Sequence, residues 1–147
     1  MFLIYKDQGP WWYNIVYALL DKKAKPLSFL TRNLMENMTS YDSAVNLMSK
    51  TDLIAPAYFI LGGAKSYEAT ILTRNQTHLV DAWKLNPHLT SFDRWFLIET
   101  NYDHWKQPPV DDDRRNPGIQ AMQKTTQANL SYDTLMDVLS KRPICNK

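Results

Sequence analysis

Leu53-Ile54-Ala55-Pro56-Ala57-Tyr58-Phe59-Ile60-Leu61, closed by Gly62-Gly63, is a nearly unbroken apolar run that decides the fold class of this chain. It is too short for a typical helix, rich in β-branched and aromatic residues, and ends in a glycine pair. That combination predicts a buried strand followed by a turn. Pro56 has no N–H to give a sheet, so a strand break or an edge position is expected near its start. Downstream, 67–73 and 79–85 read as further strands, separated by the polar turn Arg74-Asn75-Gln76-Thr77, and 95–100 reads as another. Upstream the period is helical. Trp12, Ile15, Val16, Leu19 and Leu20 form one stripe, followed by Lys22, Lys23 and Lys25, which suit the negative end of a helix dipole, and by Pro26. Leu27, Leu30, Leu34 and Met38 form a second stripe. Ser40 is a good N-cap for a third carrying Ala44, Val45, Leu47 and Met48. Past the strands, Pro108, Pro109 and the charged run 111–115 predict a loop, with helices at 117–126 and, capped by Ser131, at 132–141. Helices, four strands in a meander, then helices describe an α+β fold whose antiparallel sheet is covered by helices.

The bulk numbers agree. A chain of 147 residues, 44% hydrophobic and 22% charged, suits one globular domain with a real core. Seventeen basic against fifteen acidic residues give a net charge of +2, too balanced for a nucleic-acid-binding surface. No apolar run approaches the roughly 18 residues of a membrane span. With Cys145 as its one cysteine, the chain can form no internal disulfide. Three Asn-x-Ser/Thr triplets, at Asn37, Asn75 and Asn129, lean towards the secretory route and glycosylation. Met1-Phe2-Leu3-Ile4 is too short for a signal peptide, so the natural N-terminus is expected upstream.

The densest polar cluster is Glu99-Thr100-Asn101-Tyr102-Asp103-His104-Trp105-Lys106, followed by Asp111-Asp112-Asp113-Arg114-Arg115. It starts where an apolar segment ends, a common place for functional side chains. Asn101 has an amide N–H to offer a developing oxyanion, and Arg114 can hold a carbonyl or carboxylate through two parallel bonds. The same residues also fit a solvated ion-pair loop with Asn101 as a turn former, and pattern alone favours that plainer interpretation. His78, His88 and His104 show no metal-ligand spacing, and one cysteine builds no zinc site. No Gly-x-Ser-x-Gly elbow and no glycine-rich phosphate loop is present. Trp11, Trp12 and Tyr13, near Lys22, Lys23 and Lys25, fit either a patch resting on a lipid surface or core rings of the first helix.

The string at 99–106 with Asp-Asp-Arg-Arg at 112–115 resembles the catalytic subunit of the acid ceramidase and N-acylethanolamine acid amidase family. Leu53–Gly63, Thr73-Arg74-Asn75, Gln127-Ala128-Asn129-Leu130-Ser131 and Asp137-Val138-Leu139-Ser140 resemble it in the same order, so the likeness covers nearly the whole chain. It implies a partial N-terminal-nucleophile hydrolase, a sandwich of two antiparallel sheets between helical layers. It also implies hydrolysis of ceramides or N-acylethanolamines to a fatty acid and an amine through a cysteine acyl-enzyme. Asn101 would be the oxyanion-hole side chain, Arg114 the active-site arginine, and Glu36 a glutamate near the site, with Asp103 and Asp113 bracing the loop. Further implications are a glycosylated lysosomal enzyme, a family α-subunit as partner, a lipid amide substrate and no cofactor or metal.

Departures from the family pattern sharpen these expectations. The nucleophilic cysteine and the arginine and aspartate that follow it have no counterpart in 1–147, and Cys145 aligns with no nucleophile. The chain is therefore expected to be one incomplete domain of the catalytic subunit, lacking the nucleophile segment and the last strands, and inactive alone. The other reading is a catalytically inactive family remnant that acts as a binding or regulatory protein. The two family branches are not separated by the sequence; Ala121, where ceramidase carries a cysteine, favours the amidase side or a common relative.

Overall fold

The computed structural model describes residues 2–4, 10 and 12–145, with the backbone alone at 2–4 and 93. The chain divides into two compact units, Met1–Leu85 and Asn86–Lys147.

The first unit holds an antiparallel sheet of four strands in the order β1 (Phe2–Ile4), β2 (Ala57–Gly62), β3 (Ala69–Arg74) and β4 (Leu79–Lys84). Phe59 faces Phe2 on one side and Leu72 on the other, and Leu72 in turn faces Ala82. Pro56 marks the start of β2, as its missing N–H requires. The preceding residues are not strand. Leu53 is fully buried and takes its bonds elsewhere, giving its N–H to the Gln76 carbonyl at 2.7 Å and bridging Lys25. The three expected helices form as α1 (Trp12–Leu20), α2 (Leu27–Asn37) and α3 (Tyr41–Lys50). Ser40 caps α3, accepting the Ser43 N–H at 3.2 Å. A core of Leu30, Met48, Leu53, Ala57, Phe59 and Leu72 joins α2 and α3 to the sheet, with Leu27, Leu34, Val45 and Leu61 around it.

Arg74, expected in a polar turn, is instead the last residue of β3 and is completely buried. Its guanidinium donates to the carbonyls of Met48 and of Thr51 (2.8 Å), at the C-terminal end of α3, and to that of His78 (3.1 Å). Those helix-end carbonyls have no partner within the helix, so a cation delivered from the strand satisfies them. Burial holds the Arg74 pKa below its ordinary value, opposed by the Asp52 charge.

The second unit is helical. A short 3₁₀ turn (Phe92–Arg94) precedes an irregular segment, then α4 (Arg115–Thr125) and α5 (Tyr132–Ser140). The strand expected at 95–100 does not form; β1 is the fourth strand of the sheet. Phe96 instead packs on Met122 and Val138, with Trp95, Ile98 and Ile119 around them. An apolar run can bury itself against helices as readily as in a ladder, and its composition does not distinguish the two. Helix α4 starts two residues earlier than the pattern placed it. Pro117 is tolerated there because first-turn N–H groups have no helical acceptor. Ser131 caps α5 through a reciprocal pair with Thr134.

Candidate functional site

Asn101 and Arg114 meet. Arg114 Nη2 donates to Asn101 Oδ1 at 2.5 Å, thirteen positions away in the sequence. The Asp112 carboxylate shares Nη2 with Asn101, its Oδ2 accepting at 3.2 Å, and its Oδ1 pairs with the guanidinium charge at 3.0 Å from Nε. Nη2 thus bridges Asn101 and Asp112, which ties the guanidinium to both. The side chains of Arg114 and Asp112 are 23% and 21% exposed, so the pair lies at a half-open surface where solvent screens it only in part. With Oδ1 engaged by Arg114, Nδ2 is the donor left to the Asn101 amide. A neutral amide donor beside a guanidinium is an arrangement suited to an oxygen that becomes negative.

Helix α4 positions one side of this pair, because Arg114 immediately precedes its first turn. Asp113 secures that turn, accepting the Asn116 backbone N–H at 3.0 Å and its side-chain amide at 2.8 Å. The other side is the 101–106 loop. There the buried Asp103 carboxylate meets Lys106 Nζ at 2.9 Å. Asp103 thus ties the loop to Lys106, while Asp113 holds the start of α4. Arg115, which the sequence analysis singled out for no role, lies buried and donates to four backbone carbonyls of that loop.

The remaining candidates lie elsewhere. Glu36 belongs to the first unit, near the end of α2, where it pairs with Arg32 at 3.5 Å on an exposed face. Trp12 is stacked on Tyr13 with ring centroids 4.3 Å apart, and both are about half exposed. Trp11 lies outside the described residues. The α1 face is apolar and open to solvent: Leu19 is 74% and Leu20 79% exposed, with exposed Lys22 and Lys23 directly beyond. Among the described residues of the first unit, a cavity of about 660 Å³ opens between α2, the start of α3 and the end of β2. Leu34, Met35, Met38, Met48 and Phe59 give it apolar walls, and Lys65 and Glu68 line a polar part. Asn37 and Asn129 are exposed, whereas Asn75 is half-buried in the β3–β4 turn, its Oδ1 accepting the N–H groups of Thr77 and His78 at 2.9 Å. Cys145 is half-buried near the C-terminus. Among the described residues, no group of three His, Cys, Asp or Glu side chains is placed to hold a metal ion.

Comparison with known proteins bears directly on this geometry. No family model matches the chain. It is 47% identical over 131 residues to acid ceramidase of Heterocephalus glaber, covering 89% of this chain and 32% of that protein. Against human acid ceramidase the identity is 46% over 135 residues, covering 91% of this chain and 33% of that one. The N-acylethanolamine-hydrolyzing acid amidase of Oryctolagus cuniculus is 45% identical over 141 residues, covering 96% and 38%. The chain therefore spans about a third of the length of the curated relatives it matches. Among solved structures, the Caenorhabditis elegans ortholog of N-acylethanolamine-hydrolyzing acid amidase superposes with a TM-score of 0.79 at 32% identity, covering 99% of this chain and 59% of that one.

Proposed function

Because the chain belongs to the acid ceramidase and N-acylethanolamine acid amidase family, with part of its N-terminal-nucleophile hydrolase fold, we propose that it supplies the oxyanion side of an active site that cleaves lipid amides. The observation that supports this reading is the contact of Arg114 with Asn101 Oδ1, which leaves Nδ2 as the donor of the amide.

In this mechanism a cysteine thiolate, contributed by a segment outside these 147 residues, attacks the amide carbon. The carbonyl π electrons move to oxygen, and Asn101 Nδ2 donates a hydrogen bond to the oxyanion. Arg114 adds a positive charge that needs no reorientation during the step, because Asn101 and Asp112 already hold its Nη2. Collapse of the oxyanion breaks the C–N bond as the leaving amine takes the proton that the cysteine's own α-amine removed from the thiol. Water then hydrolyses the thioester, releasing the fatty acid and the free thiol. The carboxylates of Asp112 and Asp103 pair with Arg114 and Lys106.

The rest of the proposal concerns where such a substrate comes from. The exposed leucines and aromatic rings of α1 with adjoining lysines fit a helix that rests on an anionic lipid surface. The apolar cavity beside α2 has walls suited to an acyl chain. Exposed Asn37 and Asn129 fit a glycoprotein of the secretory pathway and lysosome, and a family α-subunit would be the partner chain.

The test is product analysis. The full-length protein carrying these residues is incubated at acidic pH with an N-acyl sphingoid base and with an N-acylethanolamine, and free fatty acid is measured by mass spectrometry. Release of acid, with a thioester-linked acyl group on an N-terminal cysteine in a quenched sample, is the expected result. Absence of release from both amides would remove the proposal.

A further inference from the structure

The run Asp111-Asp112-Asp113-Arg114-Arg115 looks like a solvated loop, yet its last residue is buried, with 6% of its surface exposed. Arg115 Nη1 donates to the carbonyls of His104 at 2.9 Å and Lys106 at 2.8 Å; Nη2 donates to those of Tyr102 at 3.1 Å and Asp103 at 2.6 Å. Its Cζ lies 4.6 Å from the centroid of the Tyr102 ring. The Tyr102 hydroxyl takes the Arg115 backbone N–H and donates to the Asp112 carbonyl, both at 3.4 Å. The Asp103 carboxylate turns to Lys106 instead. A buried cation that relies on carbonyls and a ring is costly to desolvate, and a planar fork of donors is the one side chain that reaches four carbonyls at once.

The placement of this clasp gives it a consequence. It grips the loop from Tyr102 onward, the residue directly after Asn101. At its other end it is anchored at Arg115, the residue directly after Arg114. The clasp thus fixes, from both sides, the distance across which Arg114 reaches Asn101. We propose that Arg115 is a positioning residue: its guanidinium sets the approach of Asn101 to Arg114 and acts on turnover through that pair alone. This rests on the reading of Asn101 and Arg114 as the oxyanion side of the site.

The experiment is a double-mutant cycle in the full-length protein, with a fluorogenic long-chain fatty-acyl amide as probe and thermal unfolding measured alongside. Arg115→Lys keeps the charge and loses the fork. It is expected to lower kcat roughly 30- to 100-fold with KM within about twofold, since a small misplacement of a catalytic group costs that much. In an Asn101→Ser background, whose own kcat is expected to be reduced, the same change should lower kcat by less than about twofold, because the pair is already broken. Equal fold-losses in both backgrounds, or a loss carried by KM, would overturn the inference. Should Arg115→Lys not be secreted, Tyr102→Phe keeps the ring and removes the hydroxyl that ties Asp112 to Arg115. The same non-additivity is expected of it, and additivity overturns the proposal. Unchanged turnover in Asn101→Ser alone would instead bring down the site assignment itself.

Discussion

Replacing Arg74 by Met removes one charge and keeps most of the buried volume, so it isolates what the guanidinium does between β3 and α3. The backbone carbonyls of Met48 and Thr51 lose their Arg74 donor at a side chain with no solvent exposure, whereas that of His78 keeps the Asn75 N–H at 3.2 Å. An orphaned buried acceptor costs about 1–3 kcal/mol, which places the gross loss of two at roughly 2–6 kcal/mol. Releasing a cation from a buried site returns several kcal/mol of solvation, and the long apolar Met side chain leaves little cavity. The net expectation is a destabilisation of about 3 kcal/mol, the low end of what breaking a buried ionic cluster costs. For a chain of 147 residues this corresponds to a fall in Tm of roughly 6–12 °C. Urea unfolding followed by far-UV circular dichroism measures the difference, with Arg74→Lys as a companion that keeps the charge and fewer donors. A change under about 1 kcal/mol for Arg74→Met would refute the clamp as a source of stability.

Vesicle flotation tests the α1 face: Leu19→Glu with Leu20→Glu should cut binding to anionic vesicles by roughly tenfold or more and leave folding intact, because both side chains are largely exposed. Unchanged binding would show that α1 does not touch lipid. Burial first, then the charges of Glu68 and Asp42, raises the Tyr41 pKa above 10.0, opposed by a hydrogen bond with Thr70. The folded pKa lies above the unfolded one, so this contribution is fully present below the ordinary tyrosine range and is lost as pH climbs through the raised folded pKa. Tyr41→Phe should therefore flatten the alkaline limb of a stability–pH curve. Ser131→Ala removes the cap of α5 and should cost about 1 kcal/mol in the same denaturation assay.

The parts of the fold that were legible in the sequence are those governed by local chemistry. Ser40 and Ser131 cap helices because a short side chain bearing a hydroxyl can reach the first free N–H groups, whatever lies around it. Pro56 places the start of β2 by lacking a donor. What failed was decided by tertiary surroundings. The apolar composition of 95–100 suits a strand, but Phe96 finds its partners on α4 and α5. Phe2–Ile4 completes the sheet through pairing with β2, more than fifty residues away in sequence, which no local window contains. The site shows the same division. Asn101 and Arg114 stood out by chemistry and by family resemblance. Arg115 and Arg74 carry charges that pattern assigns to solvent, and each is buried because backbone carbonyls converge on it. Glu36, by contrast, lies on an exposed face of α2 with Arg32.

The most direct measurement is kcat/KM for lipid amide hydrolysis in the full-length protein and in its Asn101→Ala and Arg114→Ala variants, compared at equal secretion and equal thermal stability. Loss of an oxyanion donor should lower turnover by roughly 100- to 1,000-fold in Asn101→Ala, with Arg114→Ala affected at least as strongly because it also frees the Asn101 amide. Turnover within about twofold of the parent in both well-folded variants would contradict the assignment of this pair as the chemistry-bearing part of the chain.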